Sequence, residues 1–281
     1  MAISGGTVGQ EGTDKANRDF WNELCGSNAA RALGIKDHSP ESLKRFDDYY
    51  LGFYPYLPQI IRPNELKGRK VLEVGLGYGT VGQKIAERGA RYTGMDIAEG
   101  PVRMMRGRLR VQGMNGRAIQ GSMLDAPFAS ASMDAVVSIG CFHHTGNLRK
   151  CLEETRRILK PGGVAVIMVY NQFSLRQWIN WPGGNLRALA RDFGVGRGPE
   201  TASEDQKKAY DAGGGGEAAP ETVFSSISQL NKMLSGFSRV TFRKENCDDL
   251  YLRGRLVAPR HRLLPTLGRL MGLDIYIRAV K

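Results

Sequence analysis

Cysteine and histidine are scarce in this chain, and no apolar run is long. The four cysteines, Cys25, Cys141, Cys151 and Cys247, contain no CxxC pair. That spacing argues against a disulfide framework or a zinc site, and reduced thiols are expected. The longest apolar runs fall far short of the roughly 20 residues that a membrane span needs. The first stretch, MAISGGTVGQEGTDKANRDF, lacks the apolar core of a signal peptide and carries acids, so the expectation is a cytoplasmic protein. Acids are outnumbered, with 28 Asp and Glu against 40 Lys and Arg, a net charge of +12. Such a balance attracts nucleic acid, anionic lipid or an acidic small molecule without choosing among them. The arginines are spread out, with Arg103, Arg106, Arg108 and Arg110 in one stretch and Arg253, Arg255, Arg260, Arg262 and Arg269 in another. They read as a solvated surface. There are only four histidines, yet His143 and His144 are adjacent, just after a short apolar run.

What is present is ordinary globular material. At 281 residues, 41% apolar and 24% charged, the chain can bury a real core. Its length suits one large α/β domain, or one domain with an appendage. Residues 15–60 read as helical. Phe20, Trp21 and Leu24 share a face in a helix over Asn17–Cys25, and an aromatic-rich helix runs from about Glu41 to Ile61. From Lys70 the pattern becomes strand and helix in alternation. KVLEVG, RYTGMDI, RAIQG, DAVVSIG and VAVIMVY read as strands. TVGQKIAERG, Pro101–Gln112 and LRKCLEETRRILK read as helices, the last broken by PGG. Repeated βα units require a parallel sheet with helices on both faces. After Tyr170 comes a helix-like segment with Trp178 and Trp181, and then a polar, glycine-rich stretch, 194–221. Gly213–Gly216 cannot hold regular structure alone, so this stretch reads as a mobile loop or as a lid over a site. A helix in SSISQLNKMLSGF and strands near Arg239–Arg243 and Ile275–Val280 complete the pattern.

The sequence VLEVGLGYGT places Gly75, Gly77 and Gly79 between the first strand and its helix. Glycines there allow positive φ and close approach of a ligand to the backbone. Asp96 ends the second strand, where a carboxylate can accept hydrogen bonds from ribose hydroxyls; the alternative is an N-cap aspartate. A dinucleotide fingerprint would read GxGxxG, but Thr80 follows Gly79 and the spacing is GxGxG. With Glu73 two residues before the first glycine, this favours a ligand with adenosine and a zwitterionic amino-acid tail over one with a pyrophosphate.

The motifs VLEVGLGYG, YTGMDI, GSMLDAPFASASMDAVVSIGCFHHT and RRILKPGGVAVIMV, in that order, resemble those of class I S-adenosylmethionine-dependent methyltransferases. The resemblance covers roughly residues 65–172. It implies a doubly wound, mostly parallel, Rossmann-like sheet of seven strands with the last pair antiparallel. The chain then divides into a helical N-terminal extension or cap (1–64), the cofactor-binding core (65–172), an insertion with the glycine-rich loop (173–224) and a C-terminal part of the same sheet (225–281). By the same resemblance Glu73, Gly75, Gly77 and Gly79 line the methionine and ribose moieties, Asp96 holds the ribose and Ile97 packs on adenine. Ser122, Met123 and Gly140 complete the cofactor set. The family usually has an acid directly after the glycine that ends strand three. Here Ser122 stands there, and Asp125 is the nearest substitute. The cofactor implied is S-adenosyl-L-methionine, with S-adenosyl-L-homocysteine as product and no metal.

His143 and His144 follow strand four, where the acceptor should meet the methyl group. An imidazole suits proton removal there, and His143, nearer the strand end, is the first choice; the other reading makes both packing residues. No acid follows strand five to support a histidine. Tyr170 and Asn171 stand there, and Tyr170 either orients the acceptor or ends the strand's core. The loop has no Asp/Asn-Pro-Pro-aromatic signature, so nucleobase amino methylation is not expected, nor is a nucleic-acid partner. Trp21, Tyr49, Tyr50 and Tyr54 either build an acceptor pocket or form the core beneath the extension. The expected activity is methyl transfer to O or N of a small-molecule acceptor. Two alternatives remain. One is a lipid or prenylated acceptor at a membrane surface, suggested by the basic and apolar alternation of RGRLVAPRHRLLPTLGRLMGL, although membrane contact is not the expectation. The other is a non-catalytic protein that keeps the cofactor fold for binding.

Overall fold

A computed structural model describes residues 9–24, 27–35, 37, 39–195 and 202–281. Cys25 and part of the glycine-rich stretch, 196–201, lie outside the described residues. The N-terminal helices are α1 (Gln10–Leu24), α2 (Ser27–Ala32), α3 (Pro40–Phe53) and α4 (Leu57–Ile61). The alternating part follows: β1 (Lys70–Val74), α5 (Thr80–Glu87), β2 (Arg91–Asp96), α6 (Glu99–Val111), β3 (Gly116–Gln120), β4 (Met133–Ile139), α7 (Leu148–Ile158) and β5 (Leu159–Tyr170). Then come α8 (Leu175–Asn180), α9 (Pro182–Asp192), α10 (Glu204–Tyr210), α11 (Ile227–Met233), β6 (Arg239–Glu245), β7 (Leu250–Leu252), β8 (Arg255–Ala258), α12 (Arg260–Leu263), α13 (Leu267–Met271) and β9 (Asp274–Val280).

The main sheet has seven strands in the order β3-β2-β1-β4-β5-β9-β6. Strands β1 to β5 pair in parallel, and β9 pairs antiparallel with both β5 and β6. This is the doubly wound, mostly parallel α/β architecture. Period-two alternation explains why both faces are apolar. In β1, Leu72 and Val74 join one core with α7 and α11, while Val71 joins the opposite core with α5 and α6. The order reverses between β1 and β4, and the crevice beyond their carboxyl ends is where such sheets bind ligands.

Three local readings need correction. The helix expected over Glu41–Ile61 is two helices, because Pro55 has no N–H to continue the first and Pro58 opens the second. PGG does not separate α7 from a later strand: α7 ends at Ile158 and β5 already begins at Leu159. The register jumps from Met133↔Leu159 to Ala135↔Val164, so the Pro-Gly-Gly sits in a bulge, where Gly162 takes a φ of 75°. The stretch read as a mobile loop has regular parts. Ser203 and Gln206 form a capping box for α10, and Ala212 bridges to Ala218 across the glycines.

Arg108 is also corrected. Read as solvated, it is among the largest fully buried side chains. Its guanidinium forks onto both oxygens of Asp47 at 3.0 and 2.8 Å, and Nε donates to the Tyr78 carbonyl. Asp47 in turn accepts from the Thr80 hydroxyl at 2.6 Å. One ion pair thus ties α3 to both the glycine turn and α6.

Candidate active site

The turn from β1 into α5 needs its glycines. Gly75, Gly77 and Gly79 have φ of 80°, 48° and 84°, in the left-handed region that other residues rarely adopt. At Gly75 a Cβ would also collide with the Cys141 side chain. Asp96, at the end of β2, organises the crevice. Its Oδ2 accepts from the Leu76 N–H at 2.7 Å and its Oδ1 from the Ala98 N–H at 2.9 Å. A carboxylate has about four lone-pair sites, so acceptor capacity remains on both oxygens. Burial pushes its pKa up to about 6, against the pull of those N–H groups. Glu73, within β1, is almost fully buried and is hydrogen-bonded to the Tyr92 hydroxyl. Burial pushes its carboxyl up to about 8, so it is mostly protonated at neutral pH.

These groups meet in one cavity of about 550 Å³. Glu73, Gly75, Gly77, Gly79, Asp96, Ile97, Ser122, Met123 and Gly140 all line it. Asp125 is exposed and is not on its wall. The Ser122 hydroxyl accepts from the Leu124 N–H, which caps the turn that carries Asp125 away. Trp21, Tyr49, Tyr50 and Tyr54 also line the cavity, as do Phe46 and Phe53. The two readings of these aromatics are not exclusive. Tyr50 packs on the sheet's core and on the core under α3 while presenting a wall to the cavity.

The two histidines divide. His144 lines the cavity, whereas His143 does not. His143 is fully buried, its ring 4.1 Å from that of Tyr170 between centroids, and neither of its nitrogens has a well-formed hydrogen bond among the described residues. Burial and the neighbouring His144 hold its pKa well below the usual imidazole value, against a small opposing pull from the Met168 backbone. Of the two, the histidine nearer the strand end is not the one that faces the cavity. Both histidines of the 3-10 turn Phe142–His144 are buried, His143 away from the cavity and His144 against it. Tyr170 is not on the cavity wall either; its hydroxyl donates to Asp211 Oδ2 at 2.9 Å.

Asp211 is the residue that sequence reasoning missed. It follows α10, inside the stretch read as a loop, and no periodicity or motif singles it out. The bridge of Ala212 to Ala218 and the bond from Ala219 N–H to the Asp211 carbonyl fix its backbone. Its carboxylate lines the cavity with Oδ2 3.5 Å from His144 Nε2. The acid absent after β5 thus arrives from elsewhere in the chain. His144 Nδ1 lies 2.7 Å from the Glu221 carbonyl, which can only accept, so that nitrogen carries the hydrogen and Nε2 the lone pair. Burial lowers the His144 pKa and Asp211 opposes this. Burial raises the Asp211 pKa and His144 opposes that in turn. Asn17 donates to the His144 carbonyl at 2.7 Å, and the Trp21 ring lies 4.7 Å from the imidazole between centroids. Helix α1 is thus part of the site. Among the described residues, no group of three or more His, Cys, Asp or Glu side chains could hold a metal ion.

Residues 71–163 match the family model described as a methyltransferase domain. Among similar proteins, demethylmenaquinone methyltransferase of Tropheryma whipplei is 34% identical over 105 residues, 37% of this chain and 43% of that protein. Sterol 24-C-methyltransferase of Gibberella zeae is 33% identical over 115 residues, 40% of this chain and 28% of that protein. The chain thus spans less than half the length of either relative. Magnesium protoporphyrin IX methyltransferase of Synechocystis, solved with bound S-adenosylhomocysteine, shares the fold. Its TM-score is 0.52 at 13% identity, over 94% of this chain and 97% of that one. The strand order, the glycine turn after β1 and the matched stretch agree: residues 71–163 are similar to a methyltransferase domain and lie in the Rossmann-like fold that solved methyltransferases share.

Proposed function

We propose that the chain transfers a methyl group from S-adenosylmethionine to an oxygen or nitrogen of a small, largely apolar or planar acceptor. The observation that carries this reading is the His144–Asp211 pair on the wall of the same cavity that holds Asp96 and the glycine turn. The donor set fits the cofactor. Asp96, with acceptor capacity left on both oxygens, would hold the ribose. Ile97 and Met123 would pack on the base. The backbone at Gly75 and Gly77, bare of side chains, would face the amino-acid tail, with Glu73 beside it. When bound, the cofactor supplies a methyl group already activated on a sulfonium.

The rest falls to this chain's own residues. Trp21, Tyr49, Tyr50, Phe53 and Tyr54 give the acceptor an apolar wall and exclude water. The His144–Asp211 pair receives the acceptor's proton. Nε2 is directed at Asp211 rather than at open space, and the carboxylate is the more exposed partner. The proton is therefore accepted by the pair as a unit. The resulting imidazolium is held between the Glu221 carbonyl and the carboxylate. Tyr170, which donates to the same carboxylate oxygen, orients it.

The test combines calorimetry with S-adenosylhomocysteine and a screen of planar phenols and aromatic amines with methyl-labelled cofactor. His144→Ala and Asp211→Asn should each lower kcat by about 10²–10⁴-fold with cofactor affinity little changed. The wild-type rate should rise with pH through a transition below the ordinary imidazole pKa, because burial lowers that of His144. Asp211→Asn should move the transition lower still, and His144→Ala should abolish it. Near-normal kcat in both variants would remove the pair from the chemistry. No affinity for S-adenosylhomocysteine would remove the activity altogether.

A further inference from the structure

The hairpin of β7 and β8 stands apart from the main sheet as a two-stranded sheet of its own. Such a ribbon is marginal by itself, and this one leaves large apolar side chains bare. Tyr251, Leu252, Leu256 and Val257 are 58%, 66%, 53% and 57% exposed. Neighbouring exposed apolar side chains at this density mark an interaction surface. Residues 250–271 also contain five arginines and not one Asp or Glu. Arg253 and Gly254 form the tip, with φ of 49° and 75°, and Leu252 pairs with Arg255 beside it.

Two contacts connect this hairpin to the site. Just past β8, the Arg260 guanidinium lies 3.8 Å from the centre of the Phe53 ring, a wall of the cavity. Just before β7, Asp248 accepts from Arg176 of α8 at 2.7 and 2.5 Å. The α8–α9 segment that Arg176 anchors carries its own exposed apolar side chains, Ile179 at 59%, Leu186 at 59% and Phe193 at 80%.

We propose that the β7–β8 hairpin docks the protein on an anionic lipid bilayer. The ribbon enters tip first, so that Leu252 and Leu256, which the register places on opposite faces, both reach the headgroup layer while Arg253 and Arg255 meet the negative surface. The charge chooses the occupant. A second copy would bring like-charged arginines together, and a nucleic acid would leave the aliphatic side chains in water. An anionic bilayer satisfies both, since basic residues are drawn to such a surface and the apolar side chains gain by burial. Docking would hold the cavity mouth at the lipid surface; only this consequence rests on the methyl-transfer reading.

The test is co-sedimentation of the whole protein with vesicles of equal phosphatidylglycerol and phosphatidylcholine, and of phosphatidylcholine alone. Wild type should partition onto the anionic vesicles at least about tenfold more strongly, and less so as salt rises. Leu252→Asp with Leu256→Asp, and separately Arg253→Glu with Arg255→Glu, should each reduce that partition by about tenfold or more. All of these positions are exposed, so affinity for S-adenosylhomocysteine should not change in either variant. Absence of wild-type partition, or equal partition by both variants, overturns the proposal. So does self-association or RNA binding that the same variants abolish while vesicles are ignored. Vesicle binding without cofactor binding would leave the docking intact and remove the methyl-transfer reading instead.

Discussion

Gly75 and Gly77 lie two residues apart with the same sign of φ, yet they should not tolerate a methyl group equally. An alanine at Gly77 meets nothing within 4 Å and carries only the backbone cost, about 1 kcal/mol. At Gly75 it would also meet Cys141 and press the turn after β4 away from the turn after β1. Gly75→Ala should therefore weaken S-adenosylhomocysteine binding at least about tenfold and cost about 1–3 kcal/mol of stability. Gly77→Ala should lose less of both. Urea unfolding alongside calorimetry reads the difference, and equal losses would refute it. At this scale the sequence was legible where backbone geometry dictates residue type, as in the glycine turn and the strand-ending Asp96. It was not legible where a side chain's direction decides. Adjacent histidines look equivalent in a string, and only the 3-10 turn separates them. Asp211 was hidden for another reason: it reaches His144 from 67 positions along the chain, through a glycine-rich turn whose bridge has no local signature.

Among the elements, the N-terminal helices are held by a buried ion pair, and this has a testable cost. Arg108 and Asp47 are both nearly inaccessible. Removing one partner leaves a buried charge uncompensated, which typically costs about 3–5 kcal/mol. Arg108→Ala should fall in that range by urea unfolding. Asp47→Leu combined with Arg108→Met should recover part of it, because the desolvation penalty disappears with both charges. A double variant no more stable than Arg108→Ala alone would show that packing, not charge, sets the cost. The helices and strands of the alternating region were readable because period two and period 3.6 are carried by many residues each. Arg108 was misread because its helix is rich in arginine and one buried guanidinium breaks no periodicity. The hairpin of β7 and β8 went unread because its strands, Leu250–Leu252 and Arg255–Ala258, are too short to show alternation.

For the molecule as a whole, buried carboxyl groups make stability depend on pH in an uncommon direction. Glu73 and Asp274 titrate near 8 and 7 in the folded protein, far above their ordinary values, because burial penalises their charge. Between the ordinary and the folded pKa the native state binds more protons than the unfolded chain, so stability falls as pH rises. His143 and His144 act oppositely. Their pKa values are lowered, so their contribution is complete above pH 6.5 and is lost below it. From pH 6.5 to 8 the carboxyl groups dominate. The cofactor-free protein should lose on the order of 2 kcal/mol from Glu73 alone across that window. Glu73→Gln, which cannot ionise, should flatten the curve. An unchanged slope in its denaturant midpoints would mean that Glu73 is already ionised when buried.

The placement of β9 has a consequence for how the protein is made. Among the described residues strand β6 pairs with β9 alone, and β9 lies between β6 and β5 although it comes later in the chain. A ribosome delivers these strands in the opposite order to the one the sheet requires. While residues 171–273 emerge, the apolar edge of β5 stays open, and β6 has nothing to join. Open apolar edges invite pairing with other chains, and such long-range closure is slow. If the parallel strands fold as they emerge, the nascent protein passes through a five-stranded sheet whose β5 edge, covered in the finished fold, is still raw, and which a chaperone can shield or a second nascent chain can capture.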